Sequence, residues 1–425
     1  MPLLRIFTSV ARAGVVLFQL RGPQRLHGGS SAGVSASKPS VSLGSPVTKG
    51  RAEVYRTSPS TLNPNRGKGS VDQGTIRTAD LGAMATNCQG SIDNCRPSSI
   101  LFESSDKSLI VLDIPTSLEE SQVLASEIPR RRIVSAEPPA TPYQTPEPRH
   151  GGGQGQDDPS ALASPAAQLA ELMTAATVSS ALQDLAVSYS GPFHRPRVLE
   201  PQPPLLSASP PLLPDKAEHL DGTIESLRDA FHMSAPAFDL VVLDPPWPNR
   251  SARRKTDKYA TVSNLDEMRR LLLQIPLTSH LAPYGLAAVW ITNKPSIHEF
   301  LTSPTGLFAA WGLEVVTEWT WLKVTTSGEP LFDVESTWRK PWEKLIIAKR
   351  IGIRKPDTLK PKVIVAVPDV HSRKPNLRGL FQHVLGDGFL GLEIFARNLT
   401  AGWWSWGNEV LRFQQPEYWS EIEGM

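Results

Sequence analysis

The second half of the chain reads as an α/β domain built on a doubly wound, mostly parallel sheet. Three observations lead there. Short apolar runs alternate with segments of helical period from residue 221 onward. One run, Asp239 to Leu243, has the apolar core of a buried parallel strand and stops at a carboxylate, Asp244. Two prolines follow, which forbid both ladder pairing and helix. Asp244 is therefore expected at the carboxyl end of a strand, where open α/β sheets bind their ligands.

Composition narrows the class. The 425 residues suffice for two ordinary domains, and the 39 prolines cluster in the first half. A net charge of +2 argues for no partner by itself. Two cysteines, Cys88 and Cys95, exclude a disulfide framework and a Cys-based zinc site. The nine histidines are scattered without ligand spacing, so no metal is expected. No apolar run approaches the roughly 18 residues of a membrane span, so no membrane partner is expected.

Residues 1–52 contain no acidic residue and carry Arg5, Arg12, Arg21, Arg25, Lys38, Lys49 and Arg51 among Ser, Gly and Ala. That is transit-peptide composition and points to mitochondria. The alternative is that organised sequence starts near Met84, leaving residues 1–83 a disordered extension. Residues 84–137 hold a hairpin, with strands Ile100–Phe102 and Leu109–Ile114 around a polar turn at Ser104–Lys107, and a short helix from Ser117 to Ala125. Arg130, Arg131 and Arg132 form a small basic cluster that reads as a solvated linker charge run, with a phosphate contact as the alternative. Residues 138–160 are rich in Pro and Gly and read as a linker. In 161–189, Leu169, Leu172, Met173, Val178, Leu182 and Leu185 fall on one helical face, predicting a helix packed on the catalytic domain. Residues 190–425 form that domain, after a Pro-rich connector to Pro214.

Within it, Asp221 is expected at the end of an early strand, followed by the Asp239 strand. Ser263 with Asp266 resembles a capping box for a helix through Leu273. Gly285–Thr292 is a buried strand, Ser296–Leu301 a helix, and Leu313–Val324 a strand. Lys344–Ala348 and Val363–Val367 are further strands. Pro375 and Gly386 frame a helix, and Leu392–Ala396 and Trp403–Trp406 close the series.

Asp244-Pro245-Pro246-Trp247 carries the chemistry. The Pro-Pro pair fixes the backbone and leaves carbonyls facing outward with no competing N–H. Asp244 and the Pro245 carbonyl can each accept one N–H of an exocyclic amine. Trp247 can stack on the ring that bears it, worth about 1–3 kcal/mol. The amine lone pair is then aimed at an electrophile by orientation and a fixed acceptor dipole. The plain alternative is a strand ending in a Pro-rich turn. Arg250, Arg253, Arg254, Lys255 and Lys258 follow at once, a basic loop suited to clamping phosphates.

The segment Leu392-Glu393-Ile-Phe-Ala-Arg397-Asn-Leu-Thr-Ala-Gly402-Trp-Trp-Ser-Trp-Gly407-Asn408-Glu409 resembles the C-terminal signature of adenine-N6 methyltransferases of the mRNA-adenosine methyltransferase type. Lys340-Pro-Trp-Glu343, Ser372-Arg373-Lys374-Pro375, Gly191-Pro-Phe and the Ser98–Pro115 hairpin agree with it. The resemblance covers 190–415 strongly and 98–190 weakly. It implies a Rossmann-like fold of the S-adenosylmethionine-dependent type with permuted motif order and S-adenosylmethionine as donor. Asn408 and Glu409 would bind the donor ribose, and Arg397 a carboxylate, or it would buttress Glu393. Glu393 would bind the donor or orient Arg397. Lys340 would sit near the methionine carboxylate, and Asp221 would accept from the donor's adenine amine. Arg373 and Lys374 are candidates for nucleic-acid contact. The chain departs from the pattern at Arg339, where relatives carry His, at Trp342 for Tyr, and at Leu399-Thr400 for His-Asn.

The expected activity is methylation of adenine N6 in nucleic acid, RNA of the small nuclear kind before DNA, on a base extruded or already single-stranded. The rivals are a non-catalytic nucleic-acid-binding scaffold of the same fold and a small-molecule amine methyltransferase. The resemblance implies a nuclear location, and a monomer is expected, with a partner subunit as the alternative.

Overall fold

The computed structural model describes residues 98–125, 127–144, 165–199, 210–248, 264–336 and 339–422. Strands β1 (Ile100–Glu103) and β2 (Leu109–Leu112) pair as an antiparallel hairpin, as expected. The following helix α1 (Ile114–Ser121) starts three residues before the predicted Ser117. The reason is local. Asp113 accepts hydrogen bonds from the Thr116 N–H and hydroxyl, and Pro115 sits where a helix needs no N–H. Strand β2 accordingly ends before Ile114.

Strand β3 (Arg131–Ile133) pairs with the C-terminal β12 (Trp419–Glu421) in a separate two-stranded sheet, so Arg131 and Arg132 belong to a strand and not to a linker. Helix α2 (Pro165–Ser188) forms as predicted, but its contact face is shorter. Val178, Ala181 and Leu185 pack on Leu109, Val111, Val363 and Val365, whereas Leu169, Leu172 and Met173 are 59%, 68% and 63% exposed.

The catalytic half runs β4 (Glu218–Asp221), α3 (Ile224–Ser234), β5 (Phe238–Leu243), α4 (Leu265–Leu273), α5 (Leu277–His280) and β6 (Leu281–Ile291). It continues with α6 (Pro295–Thr302), α7 (Leu307–Ala310), β7 (Leu313–Lys323), β8 (Trp342–Arg350), β9 (Lys362–Ala366), α8 (Arg378–Leu385), β10 (Gly391–Ile394) and β11 (Trp404–Gly407). The cap of α4 is Asn264, whose side chain accepts the Glu267 N–H at 2.9 Å; Ser263 lies outside the described residues. Helix α8 begins at Arg378, three residues after Pro375, because the Asn376 side chain takes the Arg378 N–H. It ends at Gly386, whose φ of 84° no other residue adopts cheaply.

The described strands of the main sheet lie in the order β1-β2-β9-β7-β8-β6-β5-β10-β11-β4. Within it, β1 and β8 run against the other eight. Alternation along the strands builds two cores. Val241, Leu243, Ala287 and Val289 face Phe231 of α3, Met268 and Leu272 of α4, and Leu301 of α6. Leu240, Val242, Leu286 and Ala288 face Leu118 of α1 and Phe381 of α8. Helices on both faces make the sheet doubly wound, and the neighbouring strands β4, β11, β10, β5 and β6 bring five carboxyl ends to one edge.

Candidate active site

Asp244 follows the last residue of β5, and its N–H donates to the Ile394 carbonyl of β10 at 3.3 Å. Both of its carboxylate oxygens accept from Lys374 Nζ, at 3.0 and 3.2 Å. Lys374 also pairs with Glu343 at 3.2 Å, and Glu343 in turn takes the Lys323 ammonium. Four charges therefore alternate in sign across the strand ends: Asp244, Lys374, Glu343, Lys323. Burial works against the Lys374 charge, but the Asp244 and Glu343 carboxylates outweigh it and raise its pKa. Burial likewise opposes ionisation of Glu343, yet Lys374 and Lys323 hold its pKa down to about 2.

Asp244, Lys374, Glu393 and Arg397 line one cleft together with Trp290 and Trp403. Glu393 enters it from β10. Burial first, and the Asp244 charge second, push its pKa up to about 7, against the pull of Lys374 and Arg397. Ser372 and Phe395, also in the lining, hold left-handed backbone with φ of 72° and 63°. Such strain persists where surrounding packing over-determines it, as binding sites do.

The proline turn corrects one expectation. The Pro245 carbonyl does not lack a competing donor, because the Trp247 N–H reaches it at 2.8 Å. Among the described residues no other donor reaches it, which leaves one lone pair for a ligand. Trp247 itself is fixed at both ends: its indole N–H donates to the Trp290 carbonyl at 2.7 Å, and its ring meets Phe300 edge-on at 6.0 Å. Lys294 reaches the Pro248 carbonyl at 2.7 Å.

On the other side of the cleft, Arg397 pairs with Glu409 at 3.3 Å, and Glu409 also takes Arg412 at 3.1 Å. Asp221 stands in register with Gly407, so Asp221, Asn408 and Glu409 gather at the β4–β11 end of the same edge without lining the Asp244 cleft. Gly407 is required there, since a Cβ would sit 2.8 Å from the Ala396 carbonyl oxygen.

Two expected residues stand elsewhere. Lys340 pairs with Glu171 of α2 at 2.6 Å and lies over Trp342, so it tethers α2 and does not face the cleft. Arg373 is 3% exposed, bonded to Asp369 at 2.6 Å and to the Val134 carbonyl, with its guanidinium over Phe413 at 4.5 Å. It is a core residue, not a phosphate contact. The left-handed turn at Ser372 sends Arg373 inward and leaves Lys374 for the cleft. Arg250, Arg253, Arg254, Lys255 and Lys258 lie outside the described residues. Sequence reading had passed over Glu343 and Lys323 as site residues. The signal for Glu343 was present in Lys340-Pro-Trp-Glu343, an acid just inside an apolar strand.

The MT-A70 family model matches residues 238–409, from β5 to Glu409. The chain is 54% identical over 331 residues to N6-methyladenosine RNA methyltransferase MTA1 of Cryphonectria parasitica, covering 76% of this chain and 94% of that protein. It is 37% identical over 223 residues to the human N(6)-adenine-specific methyltransferase METTL4, 50% of this chain and 45% of that one. It is 34% identical over 205 residues to a DNA N6-methyl methyltransferase of Caenorhabditis elegans, 48% of this chain and 53% of that one.

Proposed function

This chain belongs to the MT-A70 family, and we propose that it transfers a methyl group from S-adenosylmethionine to N6 of adenine in nucleic acid, with RNA the favoured substrate. The observation that carries the proposal is the Asp244-Pro-Pro-Trp turn at a parallel strand end, its carboxylate held by a lysine that also faces a second carboxylate. A relative matched over 94% of its length is named for RNA, which supports RNA over DNA. The Caenorhabditis relative's name supports DNA as the second reading.

The residues present suit such a donor by their chemistry. Its ammonium calls for a carboxylate, and Glu393 lines the cleft. Its carboxylate calls for a cation, and Lys374 takes the role foreseen for Lys340. Its ribose and adenine call for hydroxyl and amine acceptors, and Glu409, Asn408 and Asp221 stand at the neighbouring strand ends. S-adenosylmethionine supplies the methyl as an electrophilic carbon on a sulfonium. Asp244 and the free lone pair of the Pro245 carbonyl accept the two N–H bonds of the target amine and turn its lone pair toward that carbon. Trp247 stacks on the base. Asp244 comes before β10 and β11 in the chain, although β10 carries Glu393, and Asn408 and Glu409 follow β11. That order supports the permuted Rossmann-like reading.

Small nuclear RNA as the target, a nuclear location, a monomeric state and phosphate clamping by Arg250–Lys258 belong to the same proposal. So does the division into an extension over 1–83, a hairpin region over 84–137, a linker over 138–160 whose residues 139–144 lie against the β7–β8 connection, a helix over 161–189 and a catalytic domain over 190–425. Sequencing the mature N-terminus decides between the nuclear reading and a cleaved mitochondrial leader. The activity is tested with methyl-labelled donor and matched RNA, single-stranded DNA and duplex DNA, followed by digestion to nucleosides. Labelled N6-methyladenosine from the RNA pool is the expected result. Label in DNA alone moves the reading to DNA. Nucleic-acid binding without label in any pool, and without donor binding, replaces it with a scaffold.

A further inference from the structure

Three strands across the sheet from β5, the chain leaves β7 and returns as β8 through residues 324–341. By sheet spacing that is about 14 Å from the line of Asp244. This connection carries Phe332 and Arg339, and segment 139–144 lies against it. The Thr326 N–H donates to the Pro139 carbonyl at 2.9 Å, and the Tyr143 N–H to the Leu331 carbonyl at 2.8 Å. Backbone bonds thus fix Tyr143 beside Phe332, with ring centroids 5.6 Å apart and planes tilted 53°. The Arg339 guanidinium stands over the Phe332 ring at 5.7 Å.

Three features mark this cluster as a surface built for use. Tyr143 is 53% exposed although it is a large aromatic held by tertiary contacts. Lys323, Lys340 and Lys374 nearby are each neutralised by a carboxylate, whereas among the described residues no acidic side chain lies within ion-pair distance of the exposed Arg339. The cluster is tied to the cleft edge, because the Leu331 N–H donates to the carbonyl of Lys323, the last cation of the row that begins at Asp244. An exposed ring against a half-buried one, with a guanidinium that pairs with no carboxylate among the described residues, is the chemistry that holds bases and a phosphate of single-stranded nucleic acid.

We propose that Tyr143, Phe332 and Arg339 form a stacking platform for a nucleotide flanking the target adenine on a single strand, with Arg339 on its phosphate. This rests on the proposed reading of the Asp244 cleft as an adenine-methylating site. The platform selects substrates by length: a strand long enough to span from the cleft to β7 gains affinity that an isolated nucleoside does not.

The test uses the full chain with Phe332→Leu, Tyr143→Leu, Tyr143→Phe and Arg339→Gln variants. Binding of a fluorescent single-stranded oligonucleotide, in RNA and DNA versions, is followed by anisotropy, and methyl transfer is followed on that strand and on free adenosine. Phe332→Leu and Tyr143→Leu are expected to raise Kd and KM for the strand about tenfold, with kcat and activity on adenosine unchanged. Tyr143→Phe keeps the ring and stays at wild type. Arg339→Gln, at an exposed position, lowers the salt slope of binding by about one. Wild-type Kd and KM in both Leu variants, with an unaltered slope in Arg339→Gln, overturn the platform. If the wild-type protein methylates no pool but the variants still weaken strand binding, the platform stands and the methyltransferase reading fails. A preference of the platform for the RNA or the DNA version identifies which strand it serves.

Discussion

Lys374 Nζ lies 3.0 and 3.2 Å from the two oxygens of Asp244, residues 130 positions apart in the chain. The bidentate contact fixes the plane of the carboxylate that is to accept the target amine, and Glu343 steadies the ammonium from the other side at 3.2 Å. Replacing Lys374 by Met leaves Asp244, Glu343 and Glu393 around the cleft without the cation that lies among them. The expected loss is about 3 kcal/mol in urea unfolding at neutral pH. It shrinks as pH falls, because proton uptake by the carboxyls relieves their repulsion.

Glu393 gives the stability curve a second pH dependence. Its pKa rises from an ordinary 4.5 to about 7 on folding. Between those values the folded state binds more protons than the unfolded one, so this group's contribution falls as pH rises through the window and is fully unfavourable above it. Glu393→Gln removes the dependence. Thermal unfolding at pH 5 and pH 8 is expected to show the variant gaining roughly 2–3 kcal/mol on the wild type between the two. A constant difference contradicts the assignment.

The strands were legible in the sequence because each is an apolar run bounded by polar or proline punctuation, as at Asp239–Leu243 and Val363–Val367. Helix starts at α1 and α4 were displaced because the capping side chains, Asp113 and Asn264, are polar residues indistinguishable locally from Ser117 or Ser263. The site was half legible. Asp244 could be read from its strand end, and Glu393 from the resemblance of its segment. Adjacent Arg373 and Lys374 could not be told apart, since the turn at Ser372 and the distant Asp369 and Asp244 decide which one faces the core. Lys340 was misread for the same reason: its partner Glu171 comes from a helix outside the domain's own motifs.

Arg373 is therefore expected to behave as a core residue. Arg373→Gln leaves Asp369 in the interior with less compensation and strips the guanidinium from the Phe413 ring. Stability should fall by about 3 kcal/mol, while the salt dependence of nucleic-acid binding by the folded fraction stays as in the wild type. A reduced slope would return Arg373 to the phosphate contacts.

Gly407 tests the β10–β11 end of the site. An Ala side chain there meets the Ala396 carbonyl oxygen at 2.8 Å, and backbone must shift to admit it. Gly407→Ala should cost about 1–3 kcal/mol and weaken donor binding through displacement of the neighbouring Asn408 and Glu409. Calorimetric titration with donor, at a temperature where the variant is folded, reads the second effect apart from the first.

The central claim, that Asp244 orients an adenine amine for methylation, is tested by Asp244→Asn beside the wild type. Methyl transfer to RNA would be measured as N6-methyladenosine after digestion, with donor affinity determined on the same samples. The expected result is a loss of rate on the order of 100-fold or more with donor affinity largely kept. Wild-type production of N6-methyladenosine by Asp244→Asn would contradict the account.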